Sequence, residues 1–362
     1  MSKKPLSSIV NIELPTASMI DNAARTPTTQ AAYRISNAFD LRLKQAAGNV
    51  PLSIYNKNDS SRPSLAFKFV TKSVIGEGVE PVTDDVVVGC GRSRVPGQPQ
   101  VCRPDMGQNM GCEYARVCEC MEYASVDEAR LKPEEKALYV AGEVAALPKR
   151  FPYHASDPPT LQAFYLNSRA EIYECNPNCN CGPGCKTRCV QNGRRVPLEI
   201  FKTKNRGWGL QCLVDLRRGQ FIDTYVGEII TNAEADRREE SSGPGKASYL
   251  FSLDKFVDED LLEEDCYVVD GEMMGNVTRF INHSCEPNCR QYTVSYNKYD
   301  RKVYELAFFA YENIPAGTEL TFDYMDKDEE GEEEVDTSSK EPTSEEQRCR
   351  CGARNCRGRV WY

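Results

Sequence analysis

The chain carries seventeen cysteines and only two histidines, His154 and His283. Thiols in this number, in a chain with no sign of export, point to metal ligation rather than disulfides, and zinc is the metal that suits thiolates. Cys90, Cys102, Cys112, Cys118 and Cys120 form one group, and after a gap Cys175, Cys179, Cys181 and Cys185 form a second with the spacing C-x3-C-x-C-x3-C. Nine thiolates do not divide into four-ligand sites, but with three of them bridging they would serve three tetrahedral zincs; two separate sites with a spare thiol fit the spacing equally well. The last group, Cys349, Cys351 and Cys356, reads C-x-C-x4-C and lacks one ligand. Cys285, Cys289, Cys266, Cys212, Cys189 and His283 are the candidates for it. Cys285 stands out for its compact polar setting between Asn282 and Asn288, and a metal there would draw the tail onto that segment.

Three further segments could bind or transform a small molecule: Arg206-Gly207-Trp208-Gly209, Arg279-Phe280-Ile281-Asn282-His283-Ser284-Cys285, and Glu319-Leu320-Thr321-Phe322-Asp323-Tyr324. Each is weak alone, since a Gly-Trp-Gly is commonly a tight turn and an Asn-His pair a satisfied core. Charge adds little. The formal net charge of -9 is carried by residues 326–347, eleven acids against Lys327 and Lys340, so the remainder is neutral and offers no basic footprint for nucleic acid.

The elements that must position these residues change character along the chain. Residues 1–63, rich in Ser, Thr, Asn and Ala, read as a mobile arm with one short helix between Tyr33 and Ala47. Strand-like spacing begins at Leu65, Phe67 and Phe69, and the first cysteine group follows Val86 to Val88. A helix-compatible stretch, Val126 to Ala146, is interrupted at Pro133. From Pro197 short β-branched and aromatic runs predict strands at Leu198–Phe201, within Gln220–Ile230, and at Tyr249–Leu253, Tyr267–Asp270, Val303–Tyr311 and Leu320–Phe322. Thr231 with Glu234 forms a capping box that predicts a helix over Ala235–Glu240. The composition of 327–347 predicts a flexible acidic linker. No run of about 18 apolar residues occurs and Met1 to Leu14 has no continuous apolar stretch, so neither a membrane span nor secretion is expected.

The order of these motifs, nine cysteines before them and C-x-C-x4-C after them, resembles the SET-domain protein lysine methyltransferases from about Ser64 to Tyr362. In detail it is most similar to the suppressor-of-variegation class that methylates lysine nine of histone H3, in its short fungal form without a chromodomain. The resemblance implies a mostly β SET fold of short strands with a pseudoknot, over 191–326. A pre-SET three-zinc module would occupy 64–190 and a post-SET zinc tail 348–362, with Cys285 as the tail's fourth ligand. The family usually begins C-x-C-x5-C, whereas eleven residues separate Cys90 from Cys102 here, so Cys102 is taken as the second ligand displaced by a loop insertion. S-adenosylmethionine (AdoMet) would be held by Arg206, Gly207, Trp208, Tyr249, Arg279, Asn282 and His283, covered by Trp361, with Lys202 at its carboxylate. Tyr324 is the implied catalytic tyrosine, assisted by Tyr225 and with His283 beside it. Phe251 and Phe322 would line the lysine channel, Phe322 leaving room for di- and trimethylation. Asp254 would meet the arginine before the target lysine, or be a solvated loop acid. The implied partner is the histone H3 tail, with chromatin-targeting proteins besides, in the nucleus on the chromosome. A non-histone substrate and a non-catalytic zinc scaffold are the competing readings.

Overall fold

The computed structural model describes residues 17–83, 87, 89, 124–144, 147–154, 156–179, 181–241, 248–257, 266–297, 299–325 and 348–360. Along the chain run α1 (Ala17–Arg25), α2 (Thr28–Ala47), β1 (Leu52–Tyr55), β2 (Lys68–Phe69), β3 (Val74–Ile75), α3 (Pro133–Val140), β4 (Tyr153–His154), β5 (Thr160–Leu161), α4 (Ala163–Ser168) and β6 (Ile172–Tyr173). The second half continues with β7 (Leu198–Lys202), β8 (Trp208–Cys212), β9 (Phe221–Tyr225), β10 (Glu228–Thr231), α5 (Asn232–Ser241), β11 (Leu250–Ser252), β12 (Tyr267–Asp270) and β13 (Met274–Gly275). It closes with β14 (Asn282–His283), β15 (Cys289–Ser295), β16 (Glu305–Ala310) and β17 (Glu319–Phe322). Most are short strands, as the β-branched and aromatic runs predict. No helix among the described residues is long and apolar enough to cross a membrane.

Three small sheets carry the site. One has the order β1-β7-β8-β17-β14, the second β11-β12-β10-β3, and the third β6-β15-β16-β9. Their apolar faces meet in one core that includes Leu198, Ile200, Leu210, Ile222, Phe308 and Leu320. β14 runs parallel to β17, with Asn282 opposite Thr321 and His283 opposite Phe322, so two of the three segments singled out in the sequence lie side by side. β17 in turn pairs with β8, which begins at Trp208, and brings in the third. Thr231 caps α5 as its sequence predicts, its hydroxyl accepting the Glu234 N–H at 3.3 Å.

The expectation of a mobile arm over 1–63 is corrected for its described part. α2 buries Phe39 (0% exposed) and Leu43 in the main core, an i, i+4 pair contributing roughly 1.5–3 kcal/mol each. β1 adds a parallel edge to β7. Arg194 fastens the junction, donating to the carbonyls of Ala47, Val50, Pro51 and Val196 at 2.6–3.3 Å while it pairs with Asp223 at 3.3 Å. The acidic linker lies outside the described residues.

Candidate active site

Where the three sheets converge lies a cavity of about 500 Å³, a size suited to a cofactor. Arg206, Gly207, Trp208, Tyr249, Arg279 and Asn282, all taken from the sequence as cofactor residues, line it, as do Tyr225, Phe251, Phe322 and Tyr324. β8 supplies Trp208 and β14 supplies Asn282. Glu319 ties these together. Its carboxylate accepts from the Arg206 guanidinium and from Asn282 Nδ2 at 2.9 Å, while that same amide donates to the Trp208 carbonyl at 3.1 Å. Glu319 opens the third of the segments named from the sequence, which gave it no role of its own.

The floor of the cavity is aromatic. Ring centroids follow one another from Tyr225 to Phe251 at 5.8 Å, Phe251 to Phe322 at 6.3 Å and Phe322 to Tyr324 at 4.7 Å. Both phenols spend their protons on backbone: Tyr324 donates to the Ile281 carbonyl at 2.8 Å and Tyr225 to the Tyr249 carbonyl at 2.6 Å. What each oxygen has left to offer is lone pairs. Burial pushes both hydroxyls well above the usual tyrosine range, so they stay neutral. The pair can hold a polarised cationic carbon or an ammonium without acting as general bases.

Gly271 shows how tightly Tyr225 is placed, since a Cβ built there would lie 2.4 Å from the Tyr225 oxygen. Gly271→Ala is expected to lower kcat by about 10–100-fold through displacement of that hydroxyl. Steady-state rates beside an unchanged melting temperature would check it, and an unchanged rate would refute the placement.

Two predicted site residues stand elsewhere. His283 does not face the cavity. Its buried ring lies behind Tyr324, 5.4 Å between centroids, with Nδ1 accepting the Tyr324 N–H at 3.2 Å and Nε2 3.4 Å from Cys285 Sγ. Burial lowers its pKa against the pull of Asp323, and its ring braces Tyr324 from behind. Lys202 sits over the Trp208 ring at 5.1 Å, with its ammonium 3.9 Å from Asp59 rather than in the cavity wall. Asp254 lies exposed beside a second cleft of about 170 Å³, together with Arg169, Gln291 and Tyr304. Phe251 lines both spaces, so a single aromatic partition separates cofactor cavity and cleft.

The thiols answer the question left open by the tail. Cys285, Cys349, Cys351 and Cys356 bring their sulfurs within 4.8 Å of one another; of the other candidates, His283 comes near Cys285 but is not a member of this set. Cys285 and Cys349 sulfurs are 3.8 Å apart, matching the edge of about 3.8 Å that a tetrahedron of 2.3 Å Zn–S bonds requires. Backbone N–H groups of Ala353, Arg357 and Gly358 each point at one of these sulfurs at 3.4 Å, as thiolate ligands require. The tail is bound to the site besides: Arg357 forms two 2.7 Å bonds to Asp323, the residue before Tyr324.

A second trio, Cys175, Cys181 and Cys185, gathers within 4.8 Å, with 3.9 Å between Cys175 and Cys185. Cys179 accepts the Asn176 N–H at 3.3 Å, and the Arg188 guanidinium reaches Cys181 at 3.4 Å, a cation where a thiolate cluster needs one. Gly89 packs so closely on Asn178 that a Cβ would fall 1.9 Å from its carbonyl oxygen. Cys90, Cys102, Cys112, Cys118 and Cys120 lie outside the described residues, as does Trp361.

Comparison with known proteins agrees with this geometry. A SET domain matches residues 207–325 and a Pre-SET motif residues 44–188. The H3 lysine-9 specific histone-lysine N-methyltransferase dim-5 of Neurospora crassa is 39% identical over 322 residues, 86% of this chain and 88% of its own. The solved structure of Neurospora DIM-5, described as a SET-domain histone lysine methyltransferase, superposes with a TM-score of 0.61 at 38% identity, over 77% of this chain and 96% of the other. That of Arabidopsis thaliana SUVH6 in complex with SAM gives 0.59 at 29% identity, over 88% of this chain and 55% of the other. A cavity framed by these three segments, a tail tied to it by four thiols, and relatives alike over most of their length make this chain a member of the SET-domain histone-lysine N-methyltransferases.

Proposed function

We propose that the chain transfers up to three methyl groups from AdoMet to lysine nine of the histone H3 tail, acting on chromatin in the nucleus. The observation that carries this reading is the pair of neutral phenol oxygens, Tyr324 and Tyr225, whose protons are given to backbone and whose lone pairs remain, in the aromatic lining of the cavity. AdoMet supplies a methyl group on a sulfonium, the electrophile that such a site suits. The cavity fits it: Trp208 and Tyr249 offer flat apolar walls, and Arg206, Asn282 and Glu319 form a fixed polar edge.

The protein's own work is alignment and exclusion of water. The target lysine would enter from the Asp254 cleft past Phe251, its amine directed by the Tyr324 oxygen, with Tyr225 across from it. Asp254 is suited to a basic residue beside the target, the kind of neighbour that a histone tail provides. Trp361 would cover the cofactor. The proposed metal content is three zincs on the nine pre-SET cysteines, with Cys102 as the displaced second ligand, and one on Cys285, Cys349, Cys351 and Cys356.

Phe322 decides how many methyl groups fit. Its ring packs at 4.9 Å from Phe308 and carries no hydroxyl to hold the amine in a single orientation. Mass spectrometry of an unmodified H3 tail peptide incubated with the metal-replete chain and AdoMet is expected to show additions up to three methyl groups at lysine nine. Phe322→Tyr is expected to stop at one. A peptide left unmodified by a sample that binds AdoMet would move the substrate elsewhere.

A further inference from the structure

The described part of the N-terminal segment, before the first cysteine, reaches the cofactor cavity itself. Pro63, Ser64, Ala66 and Phe67 form part of its wall. Two ties hold this stretch in place. From α2, Arg42 Nη1 donates to the carbonyls of Leu65 at 2.7 Å and Phe67 at 3.2 Å. At the other end Asn58 Nδ2 donates to the Lys202 carbonyl at 2.8 Å, and Asp59 is the anion 3.9 Å from the Lys202 ammonium.

The consequence falls on Arg279. Its guanidinium lies 4.1 Å from the ring centroid of Phe67, 4.4 Å from that of Tyr249 and 5.3 Å from that of Phe280, with its fork donating to the carbonyls of Gly271 at 3.0 Å and Glu272 at 3.2 Å. Phe67 is buried, and its own edge-on packing against Phe69 (4.8 Å) and Phe280 (5.9 Å) fixes the angle of its ring. Phe69 in turn meets Phe39 of α2 at 5.9 Å. A continuous line of contacts therefore runs from the helix to the cavity: Phe39 and Arg42, then the 65–69 backbone, then Phe67, then Arg279. A planar cation held by several rings and by two carbonyls is fixed in orientation as one with a single partner is not.

We propose that α2 and residues 58–69 form a structural wall of the AdoMet cavity, in which Arg42 and Phe67 are positioning residues that set Arg279 and the adjoining Tyr249. This rests on the reading of the cavity as the AdoMet site. The N-terminal segment is then part of the cofactor-binding machinery rather than an appendage to the zinc module. Its loss weakens cofactor capture more than the chemistry, because the Tyr324 and Tyr225 hydroxyls donate to the carbonyls of Ile281 and Tyr249, to which neither Arg42 nor Phe67 bonds.

The test uses the full, metal-replete chain as wild type, Arg42→Ala, Arg42→Lys and Phe67→Leu. Titration calorimetry with AdoMet is paired with deuterium exchange of the cofactor-free protein and with steady-state kinetics. Arg42→Ala and Phe67→Leu are expected to weaken AdoMet binding about tenfold and to raise the KM for AdoMet in proportion, with kcat at saturating AdoMet within about twofold of wild type. Arg42→Lys, which keeps a donor in reach of one carbonyl, is expected to recover part of the loss. In the cofactor-free protein, exchange should rise at residues 64–69 and 278–281. AdoMet affinity within twofold of wild type in both Arg42→Ala and Phe67→Leu would overturn the inference while leaving the AdoMet reading intact. Equal falls in kcat and affinity would also overturn it, by making the effect a general loss of structure. A wild-type chain that fails to bind AdoMet would overturn the cofactor reading, and this inference with it.

Discussion

Tyr324→Phe is expected to cut the methyl-transfer rate by about 10²–10³-fold while AdoMet binding stays within about twofold. The hydroxyl donates to Ile281 and keeps its lone pairs, so its removal deletes an oxygen of the cavity lining able to accept from the target amine or from a polarised methyl group. The ring itself stays in place, because His283 behind it and Phe322 beside it hold it by packing. Burial keeps the phenol neutral well above physiological pH, so the loss should be uniform between pH 7 and 9 rather than follow a titration. Rates from single-turnover mixing, with calorimetry for AdoMet, would test both halves. A variant with near wild-type rate would remove Tyr324 from the reaction.

The second large effect concerns the tail. Cys356→Ser is expected to release about one zinc per chain and to lower activity by at least about 10²-fold. Two physical links carry the loss inward. Cys285 is both a member of the thiol set and the neighbour of His283, which accepts the backbone N–H of Tyr324. Arg357 stands beside Cys356 and pairs with Asp323, directly before Tyr324. Metal analysis by plasma mass spectrometry, together with peptide methylation, would follow both quantities. Full activity in a chain short of one zinc would uncouple the tail from the site.

The sequence was most legible where spacing alone carries chemistry. C-x-C-x4-C announced a missing fourth ligand, and runs such as Leu198–Phe201 and Val303–Tyr311 announced strands. It was least legible where an element is held from far along the chain. α2 turns only Phe39 and Leu43 fully inward from twenty residues, so its polar composition read as a loose arm. β15, Cys289–Ser295, is buried almost throughout although it contains Arg290, Gln291 and Thr293, and alternation could not reveal it. The placement of Lys202 followed from the resemblance, while its anion, Asp59, belongs to a segment that no local pattern connects with it. His283 was chosen as half of the Asn-His pair, and its ring stands behind Tyr324 as a strut.

The parallel pairings of the N-terminal strands set an order for folding. β1 joins β7 across some 146 residues, as from Ser53 to Glu199, and β2 joins β13 as Lys68 meets Met274. Neither strand has a local partner, so each must wait for sequence not yet synthesised when it leaves the ribosome. At about 5–20 residues per second the delay for β2 is roughly 10–40 s. For most of that interval Phe39, Phe67 and Phe69 wait for the residues from Val196 onward that complete their core. Loop closure over such distances also places this domain among slow, high-contact-order folders. Early exposure of this apolar stretch makes it the segment at which chaperones would be expected to act during synthesis.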